Sequence, residues 1–420
     1  MKQLMKTKIA AVAGSVLLAA TLSAPANAAI VLGGDNGWEV SYGGFINLFY
    51  TQSSFENPAG TTTTDSAHLN EGLLPAFHTL TAKSPEINGL KGTAQITFAV
   101  DASGNSSGRL NKADVFGTSS RIDMREVFFN VEGDFGTVSV GNTLSLFMRQ
   151  SILKDYTLFG VGALAGPNGA GTALGRIGFG YVYPDFRTRF SYKTPDINGF
   201  TLEVGVFDPQ TPVGCTGAAA TAAVVAAGGC TATASVVDTP QFQAEANYNT
   251  TFQGGTFNLW AGMLWQEQTL QFAAGNASVT SFGFNVGADV TFGGFNVMGT
   301  YYTGQALGTT IFNLSGTGDQ LACITAPTVS CDEQDNDGYI FQAAYTFNGK
   351  TKVGVSYGES KEDANATYGT GNIRNNMWTV GVYHDVNSWL KVVAEYSQYQ
   401  SDLLGLGDTD TFSIGGFILW

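Results

Sequence analysis

Between Glu39 and Trp420, segment after segment exchanges apolar and polar side chains at every second position, and no segment holds a helical period over three turns. In "TAQITFAVD", Ala94, Ile96, Phe98 and Val100 oppose Thr93, Gln95, Thr97 and Asp101. In "QFQAEANYN", Phe242, Ala244, Ala246 and Tyr248 oppose Gln241, Gln243, Glu245 and Asn247. "SFGFNVGADVTF" sets Phe282, Phe284, Val286, Ala288, Val290 and Phe292 against Ser281, Asn285, Asp289 and Thr291. Successive side chains of a strand point to opposite faces, so each segment predicts a ribbon with one greasy and one mostly polar side. The first strand, "EVSYGGFINLFYTQ", follows the rule with two exceptions, Phe45 and Phe49, which share the polar face. The chain is all-β.

The links between these segments alternate in length. "SPEINGLKG", "EGDFG", "PDING", "TTFQGG", "GGF", "NGK" and "VNSW" are short and rich in the residues that tight turns require. Long polar or Gly-rich links lie between them, centred near residues 60, 110, 165, 223, 273, 320, 366 and 405. Seven short and eight long links join sixteen strands and put both termini on the short-link side. An even number of strands of about 9 to 11 residues, with short turns at one end and long loops at the other, predicts a transmembrane antiparallel β-barrel. Tyr and Trp near strand ends, among them Tyr42, Tyr50, Trp265, Tyr301, Tyr302, Tyr339, Tyr345, Trp378 and Trp389, fit interfacial girdles. The first and last strands both present apolar faces, and pairing them would seal the tube.

Composition agrees with lipid as a second solvent. Only 13% of residues are charged, against about a quarter in soluble domains, while glycine reaches 54 and phenylalanine 29. Residues 1–28 read as a signal peptide, with Lys2, Lys6 and Lys8, an apolar stretch from Ile9 and an Ala26-Asn27-Ala28 cleavage site. This leaves residues 29–420 as a single barrel domain destined for the outer membrane. Removing three lysines takes the formal charge from −14 to −17. That balance excludes nucleic acid as a partner and favours cations in a lumen.

This arrangement resembles the general diffusion porins of Gram-negative bacteria. Locally the resemblance rests on "DFGTVSVGNTLS" (134–145), "RFSYKTPDINGFTLEVGVF" (189–207) and the aromatic C-terminus. It implies a trimer of sixteen-stranded, water-filled barrels for small hydrophilic solutes and ions, in contact with outer-membrane lipid and lipopolysaccharide. It also implies a constriction loop, about 146–185, folded inward, and Trp420 as the signal read by the barrel-assembly machinery. Asn142 and Thr143 stand where the family often has Arg and Gln, and Trp420 replaces the usual Phe. No cofactor is implied.

Charges on the inner parity are the candidate site. Arg187, Arg189 and Lys193 alternate with Phe190 and Tyr192 and would cost about 2–4 kcal/mol each against lipid, so they point inward. Arg121 and Arg125 extend this basic wall. The constriction loop carries Arg149, Lys154, Asp155, Arg176 and Asp185, and the family resemblance sets Asp155 across from Arg187 and Arg189. Glu203, Glu245, Asp289 and Glu395 have lumen parity and weight the pore toward cations, partly offset by Lys391. Cys215 with Cys230 and Cys323 with Cys331 form two close pairs in loop-like stretches of an exported chain, which reads as two disulfides. "CDEQDNDG" offers Glu333, Asp335 and Asp337 as a weak calcium-loop candidate, but the twelfth position of that frame is Ala344. No G-x-S-x-G accompanies His78 or His384, which argues against a hydrolase. A solute-specific channel and a surface adhesin or scaffold are the other uses such a barrel serves.

Overall fold

The computed structural model describes residues 29–102, 122–167, 171–210, 234–272, 275–310, 312, 321–324, 330–363 and 372–420. The proposed signal peptide, Arg121, Cys215 and Cys230 lie outside the described residues. The barrel strands are β1 (Glu39–Glu56), β2 in two pieces (Thr63–Asn70 and Ala76–Lys83), β3 (Lys91–Val100) and β4 (Ile122–Gly133). They continue with β5 (Gly136–Leu144), β6 (Phe186–Lys193), β7 (Phe200–Phe207), β8 (Gln241–Phe252), β9 (Gly255–Phe272) and β10 (Gly275–Phe292). The last six are β11 (Phe295–Gln305), β12 (Asp335–Phe347), β13 (Thr351–Glu362), β14 (Ile373–Asp385), β15 (Leu390–Ser401) and β16 (Leu406–Leu419).

Each strand pairs antiparallel with its neighbour in sequence, and β16 pairs with β1 from Phe45↔Leu419 to Ser54↔Asp410. Trp420 continues this seam, its N–H donating to the Gly44 carbonyl and its own carbonyl accepting from Gly44 N–H. The ring is therefore closed, a sixteen-stranded barrel. A closed ring leaves no strand edge to be desolvated in hydrocarbon. The same sheet counts nineteen pieces because β2 is split and the short strands Ile30–Gly33 and Ala234–Val236 join it.

Parity follows the sequence pattern. Ile46, Leu48 and Tyr50 of β1, Phe282, Phe284 and Val286 of β10, and Phe412, Ile414 and Ile418 of β16 are exposed on the outside. A continuous apolar belt of this kind is what lipid tails require. The expected girdle loses Tyr302, which is buried on the inner face of β11, because Tyr301 and Tyr302 are adjacent and only one of them can face out.

Several expected long loops are carried by strand instead. The links near residues 60 and 405 shrink to 57–62 and 402–405, and β9 and β10 run for 18 residues each. At about 3.4 Å per residue such a strand spans roughly 60 Å, so the hairpin continues well past an apolar band about 25 Å tall. A further hairpin, Leu321–Ile324 with Ser330–Glu333, sets Cys323 opposite Cys331, and Cys331 is disulfide-bonded.

Replacing Ile414 by Arg puts a charge on the outer face in the middle of β16. The expected result is a loss of about 2–4 kcal/mol in reversible denaturant unfolding from lipid vesicles. Ile414→Val, which keeps the position apolar, costs far less.

Candidate channel constriction

Between β5 and β6 the described residues, 145–167 and 171–185, fold into the barrel and lie against its inner wall. It opens with a helix at Arg149–Lys154, preceded by Met148 in the left-handed conformation at φ 64°. A 3₁₀ turn at Tyr156–Phe159 follows, capped by the Asp155 carboxylate, which accepts from Thr157 N–H at 2.9 Å and Thr157 Oγ1 at 2.7 Å.

Anchors from successive strands fix this path. Gln243 of β8 accepts from Leu146 N–H and Phe147 N–H, and Ser151 meets Thr300 of β11 at 3.0 Å. Gln342 of β12 accepts from Tyr156 N–H and donates to the Lys154 carbonyl. Glu395 of β15 accepts from Val161 N–H at 2.6 Å and Gly162 N–H at 3.0 Å. Gly160 passes so close to that carboxylate that a β-carbon there would sit 1.9 Å from Glu395 Oε1. Opposite, Leu73 in the break of β2 donates its N–H to the Gly160 carbonyl, so the split in β2 falls where the loop docks.

Beneath the loop is an apolar cluster that a wholly polar lumen would not contain. Phe45, Phe49, Phe77 and Phe417 point inward from β1, β2 and β16. Phe417 meets Phe45, Phe49 and Phe159 at 5.6, 5.8 and 5.3 Å between ring centroids. The two exceptions noted on the polar face of β1 are therefore the loop's seat.

The buried charges correct the expected transverse field. Arg149 is not pore-lining: it is buried between loop and wall, with Nη2 2.8 Å from Glu203 of β7 and 2.6 Å from Glu245 of β8. Burial opposes its charge, but the two carboxylates outweigh burial and hold the guanidinium above the ordinary arginine pKa. Arg189 completes this cluster, 3.3 Å from Glu203 and donating to the Leu144 carbonyl.

Asp155 does not face Arg187 and Arg189. It is buried beside Arg176, at 4.0 Å, and accepts from Tyr181 Oη at 3.2 Å. Burial pushes its carboxyl upward against the pull of Arg176. Arg176, also buried, donates to Ser356 Oγ, the Ser356 carbonyl and the Met377 carbonyl, pinning the returning half of the loop to β13 and β14. Among the charged lumen candidates, Glu203, Glu245, Glu395, Arg149, Arg176 and Asp155 are thus structural anchors. The reason is shared: the loop must satisfy its own backbone and charges once it leaves bulk water.

Other charges, most of them half-buried, lie in two groups. Toward the long loops, Arg125 pairs with Asp123 at 2.9 Å and stacks on Phe186, and Arg187 lies 3.9 Å from Asp185. Toward the short turns, Lys154 lies 3.7 Å from Asp289 of β10, and Lys391 of β15 pairs with Asp385. Lys193 ends β6 on the same inner parity. Lys352 of β13 joins the second group, its Nζ 4.8 Å from the Tyr156 ring centroid and 5.7 Å from that of Tyr383. The alternation in "TKVGVSYG", with Val353 and Val355 outward, already carried that signal.

The calcium candidate does not form a loop. Asp335 and Asp337 lie within β12, paired with Gln305 and Thr303, and Glu333 Oε1 accepts from Thr280 N–H. An extended strand spreads these carboxylates along the sheet rather than wrapping them around a cation.

A closed sixteen-stranded barrel with an inward-folded loop after its fifth strand defines an outer-membrane channel of the porin class. A family model for Gram-negative porins matches residues 12–403, and the chain belongs to that family. Among solved structures it is similar to the anion-selective porin from Comamonas acidovorans, at 13% identity and a TM-score of 0.61, covering 91% of this chain and 100% of that one. The outer membrane channel DcaP of Acinetobacter baumannii is similar at 13% identity and 0.63, covering 93% and 99%. The trimer form of OmpT from Vibrio cholerae is similar at 15% identity and 0.51, covering 92% and 100%. At these identities the likeness is one of fold. No curated protein matches.

Replacing Arg149 by Ala leaves Glu203 and Glu245 buried without their shared cation, with only Arg189 beside them. The expected loss is roughly 3–5 kcal/mol of unfolding free energy, with larger and noisier single-channel currents as the loop detaches.

Proposed function

We propose that the barrel is a passive channel for small hydrophilic solutes and ions across the outer membrane. The observation that carries this reading is the constriction loop, anchored from β7 to β15, which narrows a closed tube and leaves paired charges at the water side. A passive filter needs polar groups at a constriction and no nucleophile with its base.

Assembly as a homotrimer is proposed by analogy with the trimer form of OmpT. Lipid and lipopolysaccharide would contact the apolar belt and the rim above it. Trp420, locked to Gly44 at the seam and packed near Tyr42 and His78, would present the C-terminal strand to the barrel-assembly machinery.

The weak cation preference expected from the acidic sequence rested on four lumen carboxylates. Three of them, Glu203, Glu245 and Glu395, are buried against the loop. Around the constriction Arg125, Arg187, Lys154, Lys350, Lys352 and Lys391 face Asp123, Asp289 and Asp385, while Asp185 is buried like the three glutamates. Further acids, such as Asp402, Asp408 and Asp410, stand at the long-loop rim, where salt screens them beyond about 8 Å. The local balance favours anions slightly.

Purified protein in planar bilayers should give stable ohmic steps. In a KCl gradient its reversal potential should lie on the chloride side, and it should leave a reporter ester uncleaved. Absence of conductance defeats the channel reading, and a potassium-side potential restores the sequence-based sign.

A further inference from the structure

On the short-turn side of the constriction loop lies a cavity of about 790 Å³. Its roof is Leu153–Phe159 of the loop, and its wall is the inner face of β10 to β15. Four lysines line it: Lys154 from the helix, Lys350 from the β12–β13 turn, Lys352 from β13 and Lys391 from β15. The carboxylates lining it are Asp155, Asp289 and Asp385. Asp155 is turned into the protein against Arg176, so only Asp289 and Asp385 face the four ammonium groups.

The lysines are not equivalent. Lys154 and Lys391 have Asp289 and Asp385 within ion-pair distance. Lys352 has no carboxylate within that distance among the described residues; it is held by two aromatic faces, Tyr156 and Tyr383. An aromatic ring attracts a cation and fixes its position without cancelling its charge. The Tyr156 ring is itself fixed, since its hydroxyl donates to Asn296 Oδ1 at 2.6 Å. A cavity of this size accommodates a small organic solute. Its walls mix a fixed, uncancelled ammonium with flat apolar rings.

We propose that this vestibule is a binding station for small carboxylate- or phosphate-bearing anions, centred on Lys352 and assisted by Lys154, Lys350 and Lys391. It rests on the channel reading for its route of access and adds to that reading a class of preferred solute. An anion arriving from the short-turn side meets Lys352 without displacing any carboxylate. One arriving from the long-loop side must first pass the constriction.

The test uses the full-length protein in planar bilayers with succinate and inorganic phosphate as probes. Added on the short-turn side, the preferred anion should reduce chloride current at a several-fold lower concentration than when added on the loop side. Lys352→Met should raise the half-blocking concentration about tenfold, equivalent to ~1.4 kcal/mol, while still giving stable open-channel steps in concentrated KCl that show the barrel is intact. Asp385→Asn, which frees Lys391, should shift it in the opposite direction, an effect that misfolding does not imitate. Block by succinate alone or phosphate alone identifies the head group. Equal block of wild type and Lys352→Met, or no block by either probe while KCl current is intact, overturns the station and leaves the channel standing. If the protein does not conduct, the channel reading falls, and equilibrium dialysis of labelled succinate and phosphate against detergent-solubilised wild type and Lys352→Met decides the station. Lys352-dependent retention supports it and equal retention refutes it.

Discussion

The pairing of β16 with β1 is the constraint on which everything else rests. In hydrocarbon each unpaired N–H or C=O costs several kcal/mol, so a sheet with two free edges has no stable place there. Ten residue pairs from Phe45↔Leu419 to Ser54↔Asp410, extended by the reciprocal bonds between Trp420 and Gly44, remove both edges at once. Closure also fixes inside and outside for every strand, because a pleat that puts Ile414 and Ile418 into lipid puts Ser413 and Phe417 into the interior. The interior is thus a consequence of the seam.

What fills the interior follows a different rule. A loop inside a barrel has left bulk water and must replace its hydration with partners on the wall. This chain does so with side chains rather than with another strand ladder: Gln243, Gln342 and Glu395 accept backbone N–H groups of the loop, and Arg149 and Arg176 donate forks of hydrogen bonds to the wall. Burying such charges gains little net stability over apolar packing, because desolvation offsets most of the Coulomb attraction. Their directional bonds do fix one path, and the aromatic seat at Phe45, Phe49 and Phe417 supplies the non-directional part.

Strand order and the inner and outer faces were legible in the sequence, because period-two patterning and turn chemistry are local, whereas the inward loop followed only from the resemblance to porins. Lipid-facing Phe282 and Phe284 and wall-facing Gln241 and Gln243 lie on the expected parities. The fate of the loop charges was not legible. Arg149 and Lys154 sit five residues apart on one short helix, yet one is sealed against two glutamates and the other reaches the vestibule. What separates them is the wall each happens to face, and those partners lie 54 and 96 residues away from Arg149 in the chain. Lys352 was legible in principle, since its strand alternates cleanly. Its importance depends on Tyr156, which only the folded loop brings beside it.

The same distinction explains why net charge is a poor guide to what a pore attracts. A carboxylate 2.6 Å from a guanidinium presents a dipole to the lumen, and a dipole's field falls faster with distance than that of a free charge. Counting Glu203 and Glu245 as two full negative charges therefore overstates their reach, while Glu395 is sealed beneath the loop against Val161 N–H, Gly162 N–H and Tyr383 Oη. An ammonium held between two rings has no ion-paired carboxylate to offset it, and low-dielectric walls focus its field along the vestibule. In a chain of formal charge −14, a single lysine left without a carboxylate at a narrow place can outweigh several acids that are paired, or that stand at a wide and well-screened rim.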